Sequence, residues 1–352
     1  MVQNTVATGT LETLRHLGRL QQGLVDLVAA PAVAVGTQPR HEVFASGLAR
    51  LYHYPAVGPS KNRNPLLVVY ALVNRTGMLD LQPDRSFLRR LAQAGLDVYL
   101  IDWQPPTRYE QHRTTADYVL GDLRACVRYL QHAQGVAQVH LAGVCQGGVF
   151  ASIYAARFPR EVKTLTTLVT PIDYASDEGL LFAWARALDA DKIAATYGLV
   201  PPSFLMAGFE RLRPFAKVAK YIDVLAWSAD TERLLNFVRL EQWLYQCPPI
   251  PGPAFAETVR WLFQENRLLK GTYTLEGHPI RLGAITCPVL NVFATEDHIV
   301  PPASARALLA EVGSADTTEL QFPGGHIGVF VSRRTQEYLA PAVADWVLAR
   351  DA

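Results

Sequence analysis

The chain has 352 residues, 49% of them hydrophobic and 18% charged, enough apolar matter to bury roughly 75% of the unfolded surface without metal or disulfide support. Thirty-three basic against thirty-two acidic residues leave a net charge of +1, which excludes a whole-molecule field that gathers nucleic acid or an anionic membrane. The four cysteines, at 126, 145, 247 and 287, show neither Cys-x-x-Cys nor finger spacing, which argues against structural zinc and a disulfide framework and for a reducing cytoplasm.

Residues 1–39 read as an N-terminal amphipathic segment. Leu11, Leu14, Leu17, Leu24, Leu27 and Val28 recur near helical spacing behind Thr10 as N-cap. The apolar run from Leu24 to Gly36 contains Asp26 and Pro31 and falls short of the ~20 residues of a spanning helix. Arg15 and Arg19 follow many polar residues, unlike the leading basic region of a signal peptide, so neither a membrane span nor export is expected.

From about residue 64, short β-branched runs alternate with longer amphipathic segments. Leu66–Ala71, Val98–Ile101, Val139–Val144 and Leu165–Val169 read as buried strands, with helices over Asp84–Ala94, Thr115–Gln131 and Val149–Phe158. This is the pattern of an α/β fold with a doubly wound, mostly parallel sheet and right-handed crossovers. After Thr170-Pro171-Ile172-Asp173 the rhythm changes to helices rich in Trp, Leu and Arg, interrupted by Pro201-Pro202, Pro214 and Cys247-Pro248-Pro249-Ile250-Pro251, with no strand run before Pro288. Residues 174–285 are therefore expected to form a mainly helical cap inserted into a core of residues 40–173 and 286–352. A strand over 288–294, a helix over 303–312, a strand near 318–322 and a closing helix around 335–349 complete the core.

The strand Val139-His140-Leu141-Ala142-Gly143-Val144 runs directly into Cys145-Gln146-Gly147-Gly148 and a helix, the layout of a nucleophile elbow with cysteine in the serine position. Gly143 and Gly147 flank Cys145 where the sharp turn leaves no room for a Cβ. The helix N-terminus beneath the sulfur favours a thiolate. A lone cysteine is more often an inert buried thiol, but here strand, glycines and helix agree. Such an elbow requires an acid and then a histidine, each on a loop after a later strand. Asp297 follows the strand 288–294 and His326 follows the strand 318–322, at the sheet edge where such folds bind ligands. Glu296 is the competing acid, and His298 a candidate supporting group. For the oxyanion, the backbone N–H groups of Val73 and Gln146 are the expected pair. Asn74 and Arg75 beside them read equally well as residues that merely cap the loop. No metal site is expected.

At these motifs the chain resembles the polyhydroxyalkanoate synthases of the α/β-hydrolase superfamily, whose box Gly-x-Cys-x-Gly-Gly is matched by Gly143-Val144-Cys145-Gln146-Gly147-Gly148. Tyr70 to Asn74, Met78-Leu79-Asp80-Leu81, Asp97-Val98-Tyr99-Leu100-Ile101-Asp102-Trp103, Asp297-His298-Ile299-Val300-Pro301-Pro302 and Gly324-Gly325-His326-Ile327-Gly328 are similar to the short class III type. The resemblance covers roughly residues 40 to 350 and places that family's catalytic Cys, Asp and His on Cys145, Asp297 and His326. One departure is Thr76-Gly77, where such synthases usually carry Pro-Tyr, beside the expected oxyanion loop.

The resemblance implies polymerisation of (R)-3-hydroxyacyl groups, 3-hydroxybutyryl-coenzyme A the first candidate, through an acyl-thioester on Cys145. Coenzyme A enters as the substrate thioester and leaves as product, with no cofactor. The partners so implied are 3-hydroxyacyl-coenzyme A, the growing polyester and the granule surface in the cytoplasm, and a separately encoded second synthase subunit; the sequence leaves the oligomeric state open, a homodimer included. Nucleic acid is not among them. The rival readings are a cysteine hydrolase, thioesterase or other acyltransferase on the same scaffold, and an inactive granule-binding protein.

Overall fold

The computed structural model describes residues 35–176, 179–212 and 231–351. The helix expected between Leu11 and Val28, and Pro214, lie outside these residues.

Eight strands form one sheet: β1 (His41–Ser46), β2 (Ala49–Tyr54), β3 (Leu66–Val69), β4 (Val98–Trp103), β5 (Val139–Val144), β6 (Val162–Leu168), β7 (Val289–Ala294) and β8 (Thr317–Phe322). Their spatial order is β1-β2-β4-β3-β5-β6-β7-β8. All neighbours from β4 to β8 pair in parallel, while β2 runs antiparallel to both β1 and β4. Every residue of β3, β4, β5 and β7 is buried, as expected where helices cover both faces of a parallel sheet. Leu67, Val69, Ile101 and Leu141 point into one apolar layer, and Leu66, Val68, Leu100 and Ala142 into the other.

Periodicity locates β3 to β8 with end errors of up to three residues but does not announce the β1–β2 hairpin. β1 is an edge strand whose His41 and Glu42 are exposed, so no buried run marks it. The hairpin turns through Gly47 at φ +51°, where a Cβ would stand 2.3 Å from Asp122 Oδ1. Asp122 accepts from the Leu48 N–H at 3.1 Å and pairs with Arg113, so the hairpin is tied to the helical layer.

The core helices are α1 (Phe87–Gln93), α2 (Arg124–Gln134) and α3 (Gln146–Arg157). Ser86 caps α1 by accepting from the Arg89 N–H at 3.0 Å. Gly135 ends α2 at φ +63°. Between β6 and β7 the described chain forms α4 (Leu180–Arg186), α5 (Ala190–Tyr197), α6 (Pro202–Leu212), α7 (Thr231–Leu244) and α8 (Gly252–Glu257). Contrary to the absence of strands expected there, Leu199–Val200 pairs with Ile250–Pro251, and Thr274–Leu275 with His278–Pro279. Two-residue strands are too short to carry a period. The helix expected over 303–312 is two short ones, α9 (Pro302–Arg306) and α10 (Leu308–Glu311), and the closing segment contains α11 (Gly328–Val331) and α12 (Ala340–Leu348). Among the described residues no helix is long and apolar enough to cross a membrane.

Candidate active site

β5 ends at Val144, Cys145 takes φ +52° and ψ −121°, and α3 begins at the next residue. A side chain held in that region costs about 1–3 kcal/mol and persists only where neighbours over-determine it. Here the Cys145 N–H donates to the Leu168 carbonyl at 2.9 Å, and the Cys145 carbonyl accepts from Gly148 at 2.9 Å and Val149 at 3.4 Å. A Cβ on Gly143 would lie 2.3 Å from Gly148 Cα, and one on Gly147 would lie 2.2 Å from the Val69 carbonyl oxygen. Gly148 is under the same constraint, with only 1.8 Å to Thr170 Oγ1, a role the local sequence reading did not assign.

Asp297 and His326 stand on the loops after β7 and β8. Asp297 Oδ1 accepts from the Ile299 and Val300 N–H groups, both at 2.9 Å, which leaves Oδ2 to His326 Nδ1 at 2.7 Å. Cys145 lies near enough to the same imidazole for its charge to act on it. Both side chains are buried: Asp297 is 6% and His326 8% exposed. Burial by itself lowers the His326 pKa, but the charges of Asp297 and Cys145 and the hydrogen bond to Asp297 outweigh it and push it up to about 10. Glu296 is exposed, and its N–H donates to the Gly324 carbonyl at 2.9 Å, so the chain turns this acid away from His326. His298 is exposed but reaches the same cavity as Cys145.

The loop after β3 is held at several points. Tyr70 O accepts from Trp103 Nε1 at 2.8 Å, the Leu72 N–H donates to Gln146 Oε1 at 3.1 Å, and Arg75 O accepts from Trp243 Nε1 at 2.7 Å. Asn74 sits at φ +63°. Arg75 reaches Trp103 O at 2.7 Å and Asp102 Oδ2 at 3.1 Å, and Thr76 Oγ1 reaches Asp102 Oδ1 at 3.2 Å. Arg75 is thus an anchor of this loop on the end of β4. At the unusual Gly77, a Cβ would stand 2.6 Å from Val35 Cγ1. Among the described residues neither the Val73 nor the Gln146 N–H has an acceptor.

Tyr70, Val73, Cys145, Gln146 and His326 line one cavity of about 890 Å³, whose remaining wall includes Phe204, Met206, Trp243 and Phe330. The lining is mostly apolar with few polar groups, the usual character of a small-molecule site. A thiol, an imidazole–carboxylate pair and two free N–H donors there can together support attack on an acyl carbonyl. At the three other cysteines, burial pushes Cys126 up to about 12 and Cys287 up to about 11, and raises Cys247. Among the described residues no group of three His, Cys, Asp or Glu side chains could hold a metal ion.

The family model of the alpha/beta hydrolase fold matches residues 64–332. Among solved structures, a thermophilic esterase from Thermogutta terrifontis has TM-score 0.54 at 15% identity, covering 90% of this chain and 100% of that one. A non-heme bromoperoxidase from Mycobacterium tuberculosis has TM-score 0.53 at 16% identity, covering 89% and 100%. At such identity they speak for the fold alone. The poly(3-hydroxyalkanoate) polymerase subunit PhaC of Allochromatium vinosum is 41% identical over 344 residues, 97% of each chain. That of Thiocystis violacea is 38% identical over 96% of each, and that of Synechocystis 37% identical over 96% of this chain and 92% of its own. With this identity along nearly its whole length, and with the alpha/beta hydrolase architecture, the chain belongs to the family of poly(3-hydroxyalkanoate) polymerase subunit PhaC.

Proposed function

We propose that this chain is the catalytic acyltransferase of polyester synthesis, joining (R)-3-hydroxyacyl groups from coenzyme A thioesters, 3-hydroxybutyryl first among them, into poly(3-hydroxyalkanoate). The observation that carries the reading is Cys145 at the strained strand-to-helix turn, in one cavity with an imidazole that Asp297 orients, in a chain akin to such polymerases.

His326 takes the Cys145 proton, and the thiolate attacks the thioester carbonyl while the Val73 and Gln146 N–H groups receive the developing oxyanion. The tetrahedral intermediate expels coenzyme A thiolate, which leaves protonated by His326. Exchange of one thioester for another keeps the acyl group activated. A chain-end hydroxyl, deprotonated by His326, then attacks it and yields the more stable oxoester, with Cys145 released as leaving group. Asp297 holds the Nδ1–H tautomer and stabilises the imidazolium, as the third member of a triad does. A serine would form the oxoester at once and discard that activation. The helices between β6 and β7 serve as a cap over this chemistry, and a second synthase subunit acts on the cap to ease polymer exit at the granule.

Incubating the purified chain with 3-hydroxybutyryl-coenzyme A, with and without its second subunit, and following thiol release and polymer tests the reading. Polymer with thiol release supports it, and free 3-hydroxybutyrate alone points to a thioesterase. No covalent acyl-enzyme on Cys145 would leave only a binding protein.

A further inference from the structure

We propose that the side chain of Gln146 is a positioning residue, which sets the oxyanion donor on the opposite loop. The inference rests on the reading of the Val73 N–H as that donor.

Gln146 follows the nucleophile, and in this fold its position is valued for its backbone N–H. Its side chain does something separate. Oε1 accepts from the Leu72 N–H at 3.1 Å, and Nε2 donates to Thr258 Oγ1 at 3.5 Å. The Thr258 hydroxyl spends its own proton on the Ala254 carbonyl at 2.9 Å, so its lone pair faces the amide. The Leu72 donor on one side and the Thr258 acceptor geometry on the other leave one orientation of the Gln146 amide. One side chain thereby joins the first turn of α3, the loop after β3 and the segment following α8.

Val73 lies between Leu72, held by Gln146, and Asn74 at φ +63°, beyond which Arg75 is anchored by Trp243 Nε1 at 2.7 Å and by Asp102 Oδ2 at 3.1 Å. Fixing the Leu72 amide on one side of the Val73 N–H and Arg75 on the other fixes the direction of that N–H. Gly147 contributes by letting α3 press against the end of β3, where even a Cβ would lie 2.2 Å from the Val69 carbonyl. An oxyanion hole works because its donors are aimed before charge develops. Loss of the Gln146 acceptor leaves the buried Leu72 N–H without its partner and frees the loop to turn toward another.

The test uses the full chain with Gln146→Met, which keeps length without a polar end, and Gln146→Glu. Cys145 acylation is followed with p-nitrophenyl acetate and with 3-hydroxybutyryl-coenzyme A, and its alkylation with iodoacetamide, a displacement that forms no oxyanion. Gln146→Met is expected to slow acylation by about 10²-fold, the scale of a 1 Å misplacement, through kcat with little change in KM. Alkylation should slow far less, and the Leu72 amide should exchange with solvent faster. In Gln146→Glu the acylation rate relative to the parent chain should climb as pH falls, because the neutral carboxyl again offers an acceptor and a donor. Acylation equal to the parent in Gln146→Met, or acylation and alkylation falling together, overturns the proposal while leaving the polymerase reading intact. A parent chain whose Cys145 takes no acyl group from either ester overturns both.

Discussion

His326 Nδ1 lies 2.7 Å from Asp297 Oδ2, while the other oxygen of that carboxylate is occupied by the Ile299 and Val300 N–H groups. The carboxylate is therefore oriented before it orients the imidazole. His326→Gln is expected to stop Cys145 acylation. Asp297→Asn should retain measurable acylation while overall turnover falls by up to about 10⁴-fold, the loss known for the orienting acid of a serine triad. Single-turnover capture of labelled acyl-enzyme separates the two, and equal defects would assign Asp297 a part in the first step.

The same pair predicts a pH dependence. The folded pKa of His326, about 10, lies above its ordinary value of 6.5, so this group's stabilising contribution is complete below pH 6.5. It is lost as pH rises toward 10. The urea midpoint of the parent chain should fall across that interval more than that of His326→Gln. Cys145→Ala and Asp297→Asn should each bring the His326 titration, read by NMR, to lower pH.

Cys145→Ala should abolish thiol release, a loss of about 10⁶-fold where a triad nucleophile is removed, with unchanged circular dichroism. Residual release of a few per cent of the parent rate would remove the nucleophile assignment. Burial keeps Cys126, Cys247 and Cys287 protonated, so limiting iodoacetamide should mark Cys145 first, by peptide mass mapping. Alanine at the other three should leave activity near the parent level.

Gly148→Ala drives a Cβ to 1.8 Å from Thr170 Oγ1, and Gly147→Ala drives one to 2.2 Å from the Val69 carbonyl. Each should cost about 3 kcal/mol or more, the upper range for overpacking. The obstacle to Gly148→Ala is a side chain, so a second change, Thr170→Gly, should recover part of the denaturation midpoint. The obstacle to Gly147→Ala is backbone, and Thr170→Gly should do nothing for it.

At the opposite end of β5, buried His140 donates from Nε2 to Asp351 Oδ1 at 2.9 Å and receives the Thr164 hydroxyl on Nδ1 at 2.8 Å. Asp351 also accepts from the Asn64 backbone N–H at 3.0 Å and side chain at 2.8 Å, and from the Arg63 N–H. Burial lowers the His140 pKa, which Asp351 offsets in part. Burial alone would raise Asp351, but its hydrogen bonds outweigh that and lower it. Neutral His140 therefore stabilises fully above 6.5 and less as pH falls below it, and ionised Asp351 adds a loss as pH falls below 3.8. Asp351→Ala strands a buried donor, and a destabilisation of at least about 1–3 kcal/mol is expected by urea titration.

Much of this architecture is written in local patterns. Continuous apolar runs mark β3, β4, β5 and β7 because each is covered on both faces, and Gly143 marks the turn at Cys145 because backbone crowds it within six residues, whereas the crowding at Gly147 and Gly148 comes from the distant Val69 and Thr170. The order of Cys145, Asp297 and His326, each after a strand, is equally local. The β1–β2 hairpin is not, since an edge strand half open to water has no buried run to betray it. Nor is the hydrogen bond from the Leu72 N–H to Gln146, separated by 74 residues, or from His140 to Asp351, separated by 211. The choice of Asp297 over Glu296 also depends on which carboxylate the turn after β7 buries. Periodicity and steric exclusion act between near neighbours and so can be read along the chain. Which distant donor meets which acceptor is decided only when the strands pair and the helices close over them, because those partners share no sequence signal until the fold brings them within hydrogen-bonding distance.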